Sequence, residues 1–287
     1  MSDLDEKREE AAGISDKAVK SVKWTFFAEI LPRISAPIVI LFLARLLTPA
    51  DFGIVAIATI VIGFAAIFQS LGFEQALIQR ETDVNTAANI VFWSNVSLSL
   101  VIYVAAYVAA PYVADFFHTP AATAVIRVLC LQIVLTAFVT VHSSLLQRGF
   151  QFKTIFLARS ANSVIPLIVT VPLAFFLHNV WALVIGSLVG SIVQLTLFWY
   201  FSKWRPEFSY DIALAKKLMR FGLWVTLEMF LGWVILYGDN LVVGNALGVY
   251  ALGVYTVGWN LVTLVFGLVM SPLTPVHILR FRDYSPI

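Results

Sequence analysis

One cysteine, Cys130, stands in a chain of 287 residues, so neither a disulfide framework nor a cysteine metal cluster is available. Charge is scarce as well. Only 13% of the residues are Asp, Glu, Lys or Arg, against about 25% in an ordinary soluble domain. The formal net charge of +2 points to no nucleic-acid partner, because the charges are spread by side of a membrane rather than gathered on one surface. The four histidines, His118, His142, His178 and His277, have no ligand spacing, and neither a phosphate-cradling glycine loop nor a Gly-x-Ser-x-Gly elbow is present. Loops between the apolar segments are short, which leaves no room for the acidic clusters of a membrane glycosyltransferase or polymerase. These absences argue against an enzyme and against a resident metal or cofactor.

What the chain has in excess is oil: 60% of its residues are hydrophobic, against roughly 45–50% in soluble domains. A bilayer-spanning helix requires about 20 mainly apolar residues. Eight segments qualify: 24–47, 52–78, 88–113, 124–146, 155–177, 180–201, 221–247 and 250–270. The expected fold class is all-α, a polytopic transmembrane helical bundle of about eight spans.

The first 23 residues, MSDLDEKREEAAGISDKAVKSVK, are polar and mixed in charge. They differ from the basic head of a secretory signal, so span one is expected to be an uncleaved first helix. Sixteen Lys and Arg residues fall before odd-numbered spans or after even-numbered ones, and two, Arg45 and Arg127, fall at the opposite ends. The positive-inside rule then places both termini in the cytoplasm. Trp24, Trp199, Trp204 and Trp224 sit at inner ends, and Tyr112, Phe116, Trp181 and Tyr250 at outer ends, as an aromatic belt requires.

A shift of 200 residues aligns Lys17 with Lys217, Lys20 with Arg220, Trp24 with Trp224, Leu31 with Leu231, Leu41 with Leu241, Leu47 with Leu247 and Gly53 with Gly253. It also superimposes the boundaries of spans one and two on those of seven and eight, in the same direction. That pattern suggests a parallel repeat about an axis along the membrane normal. Pro32 falls opposite Gly232, so each half opens with a weakened helix. The expected organisation is a polar cytoplasmic segment 1–23, a six-helix N-lobe 24–201, an amphipathic cytoplasmic linker 202–220, a partial C-lobe of two helices 221–270 and a cytoplasmic tail 271–287. In SYDIALAKKLMR (209–220), Ile212, Ala215, Leu218 and Met219 share one face, with Lys216, Lys217 and Arg220 free to meet anionic headgroups. LLQRGFQFKTIFLAR (145–159) mixes aromatic and basic residues in the same way. Gly186-x-x-x-Gly190 and Gly244-x-x-x-Gly248 are spaced for close helix approach.

The block LARLLTPADFGIVAIATIVIGFAAIFQSLGFEQALIQR (43–80) resembles the first hairpin of bacterial polysaccharide flippases, the Wzx-type branch of the superfamily that also holds multidrug exporters and the peptidoglycan-precursor flippase. SSLLQRGFQFK (143–153), AKKLMRFGLW (215–224) and GDNLVVGNALGVYALGVYTVGWNL (238–261) resemble later blocks of that branch. The resemblance implies a two-lobed bundle with a central cavity. It also implies transport of a polyprenyl-pyrophosphate-linked oligosaccharide across the inner membrane by alternating access, for surface polysaccharide synthesis. The implied partners are that lipid-linked oligosaccharide, the bilayer and other polysaccharide assembly proteins. Family members run to about twelve or fourteen spans, so a chain of eight is expected to be C-terminally truncated. The alternatives are a small-molecule exporter of the same superfamily and a transport-inactive membrane fragment.

Ionised residues inside spans are the candidate site residues, since a charge at mid-bilayer costs at least roughly 2.5–3.5 kcal/mol and normally faces a bundle interior or a wet cavity. Arg33 lies about ten residues into span one, or ~15 Å at ~1.5 Å per residue. Pro32 removes a helical hydrogen bond beside it. Glu29 lies one turn earlier on the same face. Two readings stand: a buried Glu29–Arg33 pair, or a cavity cation for a phosphate headgroup. Arg127 and Arg159, at the ends of spans four and five, are further headgroup candidates. Glu29, Glu228 and Asp239 are candidate coupling or pairing acids, with Asn240 beside the last. Asn95, Gln132, Asn162 and Gln194 are neutral polar residues suited to helix-to-helix hydrogen bonds or sugar contacts.

Overall fold

A computed structural model describes residues 42–69, 77, 83–208 and 212–270, with side chains for 42–69, 77, 83–208 and 226–263. Every regular element among them is helical: α1 (Pro49–Gln69), α2 (Val84–Phe116), α3 (Ala122–Leu129), α4 (Leu131–Arg148), α5 (Phe152–Leu177), α6 (Trp181–Phe201) and α7 (Ile212–Met270). Six helical stretches are long and apolar enough to cross a membrane, counting α3 with α4 as one and taking Thr226–Thr263 of α7 as another. They match the expected spans two to six and the seven–eight region. Most of span one lies outside the described residues.

Local chemistry sets the helix ends. Thr48 caps α1: its Oγ1 accepts from Asp51 N–H, its own N–H and O–H donate to Asp51 Oδ2 at 3.0 and 2.7 Å, and Pro49 takes the first helical position. His118, Phe150 and His178 follow α2, α4 and α5 with positive φ. After α2 and α4 a further N–H folds back, from Thr119 to Ala114 O and from Gln151 to Leu146 O, so that otherwise orphaned carbonyls are satisfied. The fourth span bends slightly at Cys130, where the N–H of Ile133 reaches back only three residues, to Cys130 O.

The interior is built from small residues. Ala58, Ala110, Ala114, Ala122 and Cys130 are fully buried with Ile57, Ile126, Val184 and Leu252 in one cluster that joins α1, α2, α3, α6 and α7. Large apolar side chains point the other way: Val101, Val108, Tyr112, Ile168, Phe176, Tyr200 and Ile235 are all more than 60% exposed. This inversion suits a lipid solvent, in which close packing rather than burial of oil joins helices. α5 and α6 show the principle at Gly186 and Gly190. A methyl on Gly186 would overlap Thr170 Oγ1, and one on Gly190 would fall 2.6 Å from Pro166 Cγ. Gly244 packs in the same way, 2.6 Å from a Phe117 ring carbon by the same construction. Gly248 does not: it has φ 83° and breaks α7 into two limbs, a backbone state that suits glycine. Its place in the expected glycine pair is therefore conformational. The amphipathic segment before span seven is continuous with it, since α7 runs from Ile212 without another break.

Buried polar groups tie the bundle at two levels. Gln69 Nε2 on α1 donates to Ser99 Oγ on α2 at 2.8 Å and to Ile133 O on α4 at 2.7 Å. At the far end of α6 the non-helical residues 202–208 lie across α2 and α4. The N–H of Glu207 donates to Asn89 Oδ1 at 2.9 Å, and its carbonyl accepts from Trp93 Nε1 at 3.1 Å. Trp204 packs edge-on against Phe92 and His142, and Phe208 lies against Trp93.

Candidate functional site

α4, α5 and α6 do not meet as one sheet of side chains; they leave a cleft of about 170 Å³ between them. From α4 come Thr136, Thr140 and Ser143, spaced four and three residues apart and so on one face. From α6 come Ser191 and Gln194, one turn apart, and from α5 comes Arg159. Leu135, Val139 and Phe198 complete the lining.

The hydroxyl protons of this cleft are already committed. Thr136 Oγ1 donates to Gln132 O at 2.7 Å, Thr140 Oγ1 to Thr136 O at 2.9 Å and Ser191 Oγ to Ser187 O at 3.0 Å. Each bond is a return to the same helix one turn back. The oxygens therefore face the cleft with lone pairs free, as acceptors. Arg159 is the one ionised side chain in the lining and is exposed; it offers up to five N–H donors and no acceptor. A ligand that matches has several hydroxyl donors for the Thr and Ser oxygens and one anionic group for the guanidinium.

The other candidates lie elsewhere. Glu29, Pro32 and Arg33 are outside the described residues. Arg127 sits on α3 with its guanidinium carbon 4.4 Å above the Tyr107 ring and its Nε 3.3 Å from Tyr107 O; it fastens α3 to α2 and is not among the cleft residues. Glu228 is exposed near the start of the first limb of α7. Asp239 is half-buried between the limbs: Oδ1 accepts from the backbone N–H and the side-chain amide of Asn240 at 2.7 and 2.9 Å, and Oδ2 accepts from Tyr255 O–H. All three donors are neutral. Asn95 is buried with Oδ1 lacking a hydrogen-bond partner. Among the expected residues the structure thus brings Arg159 and Gln194 together, and leaves Arg127, Glu228 and Asp239 apart from them. Reading the sequence missed Thr136, Thr140, Ser143 and Ser191. Their only signal was the spacing of hydroxyl residues along spans four and six, which is common in membrane helices for packing reasons.

A second cavity, about 560 Å³, lies between α1, α2 and the first limb of α7. Ile60, Phe64, Ala106, Val113, Phe117 and Trp233 are among its walls, which are almost entirely carbon. The indole N–H of Trp233 is spent on Ile60 O at 3.2 Å, so this cavity has nothing to offer a polar ligand.

Comparison with known proteins gives the following. Residues 42–281 match the family model described as polysaccharide biosynthesis protein. The chain is 24% identical over 262 residues to the lipopolysaccharide biosynthesis protein WzxC of Escherichia coli, covering 91% of this chain and 53% of that protein. It is 24% identical to the teichuronic acid biosynthesis protein TuaB of Bacillus subtilis over 88% of this chain and 52% of that one. To the succinoglycan biosynthesis transport protein ExoT of Rhizobium meliloti it is 25% identical, over 82% and 47%. The chain therefore spans about half the length of these relatives. Among solved structures it is similar to an inward-facing multidrug resistance transporter of the MATE family, with TM-score 0.51 and 19% identity over 83% of this chain and 57% of the other. It is also similar to a MATE protein in complex with Br-NRF, with TM-score 0.52 and 16% identity over 87% and 64%. These two likenesses concern the fold.

Proposed function

The chain belongs to the polysaccharide biosynthesis protein family, and from that membership we propose that it serves to move a polyprenyl-pyrophosphate-linked oligosaccharide across the bacterial inner membrane by alternating access. Its relatives act in lipopolysaccharide, teichuronic acid and succinoglycan synthesis, so the cargo class is a lipid-linked glycan. The observation that carries the reading is the cleft between α4, α5 and α6, a hydroxyl-rich site with one arginine inside an otherwise apolar bundle. Sugar hydroxyls supply the donors that Thr136, Thr140 and Ser191 lack, and Arg159 takes a carboxylate or phosphate with charge-assisted bonds. The apolar walls of the same cleft exclude competing water.

Arg33, if it stands at mid-membrane depth beside Pro32, adds a second cation for the pyrophosphate. Arg127 is then a third, at the other end of the path. Asp239, a carboxylate held by neutral donors alone, suits a coupling proton or cation, and Glu29 and Glu228 are further acids for that role. Both termini lie in the cytoplasm on the charge distribution, and other polysaccharide assembly proteins would receive the flipped cargo.

The test is deletion of the gene followed by analysis of lipid-linked and surface polysaccharide. Loss of one polymer with build-up of its lipid-linked repeat unit on the cytoplasmic leaflet is expected. Normal polymer with an unchanged lipid-linked pool, or a phenotype limited to sensitivity to small toxic compounds, rejects it in favour of an exporter or an inactive fragment.

A further inference from the structure

Positions 49, 53, 249 and 253 are related by the 200-residue shift that superimposes the spans, and the structure puts all four in contact. A methyl on Gly53 would overlap the carbonyl oxygen of Val249 and approach its Cγ2 to 2.8 Å. A methyl on Gly253 would overlap the carbonyl oxygen of Pro49. The second contact is the first with every number exchanged: 53 for 253 and 249 for 49. Contacts that exchange in this way define an isologous interface, which lies on a twofold axis. Gly253 and Gly53 also face one another, the methyl position on Gly253 being 3.0 Å from Gly53 N. A residue meets its own image only on the axis itself.

This junction is made of backbone. With glycine on both sides the two helices touch through Cα–H groups and carbonyl oxygens, the weak, side-chain-free contact typical of small residues at membrane helix crossings. It sits at one extremity of the bundle, in the first turns of α1 and of the second limb of α7. Asn245 Nδ2 joins the same end to Phe116 O at 2.5 Å. Farther along, α1 and α7 are held by side chains instead, with the rings of Trp233 and Tyr237 against Gly63 and the carbon-lined cavity beside them.

We propose that the Gly53–Gly253 contact is a gate: a glycine seal on the pseudo-twofold axis that closes one end of the path between the repeats and parts when they exchange the end left open. No side chains interlock across it, so it opens without repacking and re-forms to the same register. The role as a gate rests on the transport reading above; the reciprocal contact itself does not.

The experiment uses the purified full chain in lipid nanodiscs, with Cys130→Ala as background and nitroxide labels on paired cysteines. Ala121→Cys with Leu247→Cys reports the sealed end, and Lys203→Cys with Leu227→Cys the opposite end; all four positions are exposed. Pulsed dipolar spectroscopy should give one narrow distance population at the sealed end. Gly53→Val and Gly253→Val should each add a longer population at the same position, because either substitution wedges the same contact. Gly258→Val, at a glycine with nothing within 4 Å, should change nothing. Unchanged distances in both seal variants, or a change in one alone, overturn the proposal. If the valine variants do not fold, the unsubstituted chain decides: a sealed-end distribution broader than that of the opposite end also overturns it. None of these readings depends on transport, so the cargo assignment fails separately, in the deletion strain.

Discussion

Arg159 is the residue on which the cleft turns, because it is the one charge among acceptor oxygens. Replacing it by alanine removes charge-assisted bonds worth about 1.5–3 kcal/mol, so transport in a complemented strain should fall roughly 10- to 100-fold, with membrane protein levels unchanged on immunoblot. Arg159→Lys should recover part of it, since an ammonium keeps the charge but not the two-pronged geometry. Normal transport in Arg159→Ala would remove the cleft from the cargo path. Arg33 poses a different question, posed by its sequence alone. If it binds the headgroup, Arg33→Ala abolishes transport and leaves the protein inserted; if it only pairs with Glu29, the double change Glu29→Gln with Arg33→Gln restores transport. Gln69 is structural by the same kind of reasoning. Its amide joins three helices, and interhelical bonds in membranes average about 0.6 kcal/mol with a maximum near 1.7. Gln69→Leu should therefore lower the thermal unfolding midpoint of the detergent-solubilised protein without altering its helix content.

At the scale of elements, the α5–α6 pair depends on two glycines in contact with Thr170 and Pro166, whereas Gly232 has nothing within 4 Å. Gly186→Leu should separate the pair, at a cost in the range of about 1–3 kcal/mol set by overpacking. Gly232→Ala should be neutral or stabilise α7 by up to about 1 kcal/mol through helix propensity. Thermal denaturation followed by circular dichroism distinguishes the two, and equal effects at both glycines would contradict the packing described. The spacing Gly186-x-x-x-Gly190 was legible as a packing motif, because close approach needs small residues one turn apart. The same spacing at 244 and 248 misled. Gly244 packs on Phe117, but Gly248 supplies a positive φ, and sequence spacing does not separate a glycine chosen for size from one chosen for backbone freedom.

For the whole molecule, the charge distribution and the six described membrane-length helices give a topology that labelling checks. In a Cys130→Ala background, His118→Cys should react only from the periplasmic side and Lys203→Cys only from the cytoplasmic side; reaction of both from one side breaks the assignment. The matched relatives are about twice as long as the aligned region, and their remaining helices would complete the wall of a two-lobed cavity. The 287-residue chain by itself is therefore expected not to restore polysaccharide export in a flippase-deficient strain. Restoration without a companion fragment would show that these helices suffice.

The sequence by itself determined the solvent, the helical class, nearly all the described span positions and the 200-residue register between repeats. These are properties of runs: a stretch of about 20 apolar residues crosses a bilayer whatever surrounds it, and a repeat keeps its spacing whether or not its copies touch. Only the tertiary structure decided which faces meet. Apolar side chains surround each span almost completely, so hydropathy does not say how a helix is rotated about its own axis. That rotation is set by small residues seated against specific neighbours, Gly186 on Thr170 or Gly53 on Val249. It is this rotation that gathered Thr136, Thr140, Ser191 and Gln194 around Arg159, and that turned Gly53 and Gly253 from an alignment of letters into a contact.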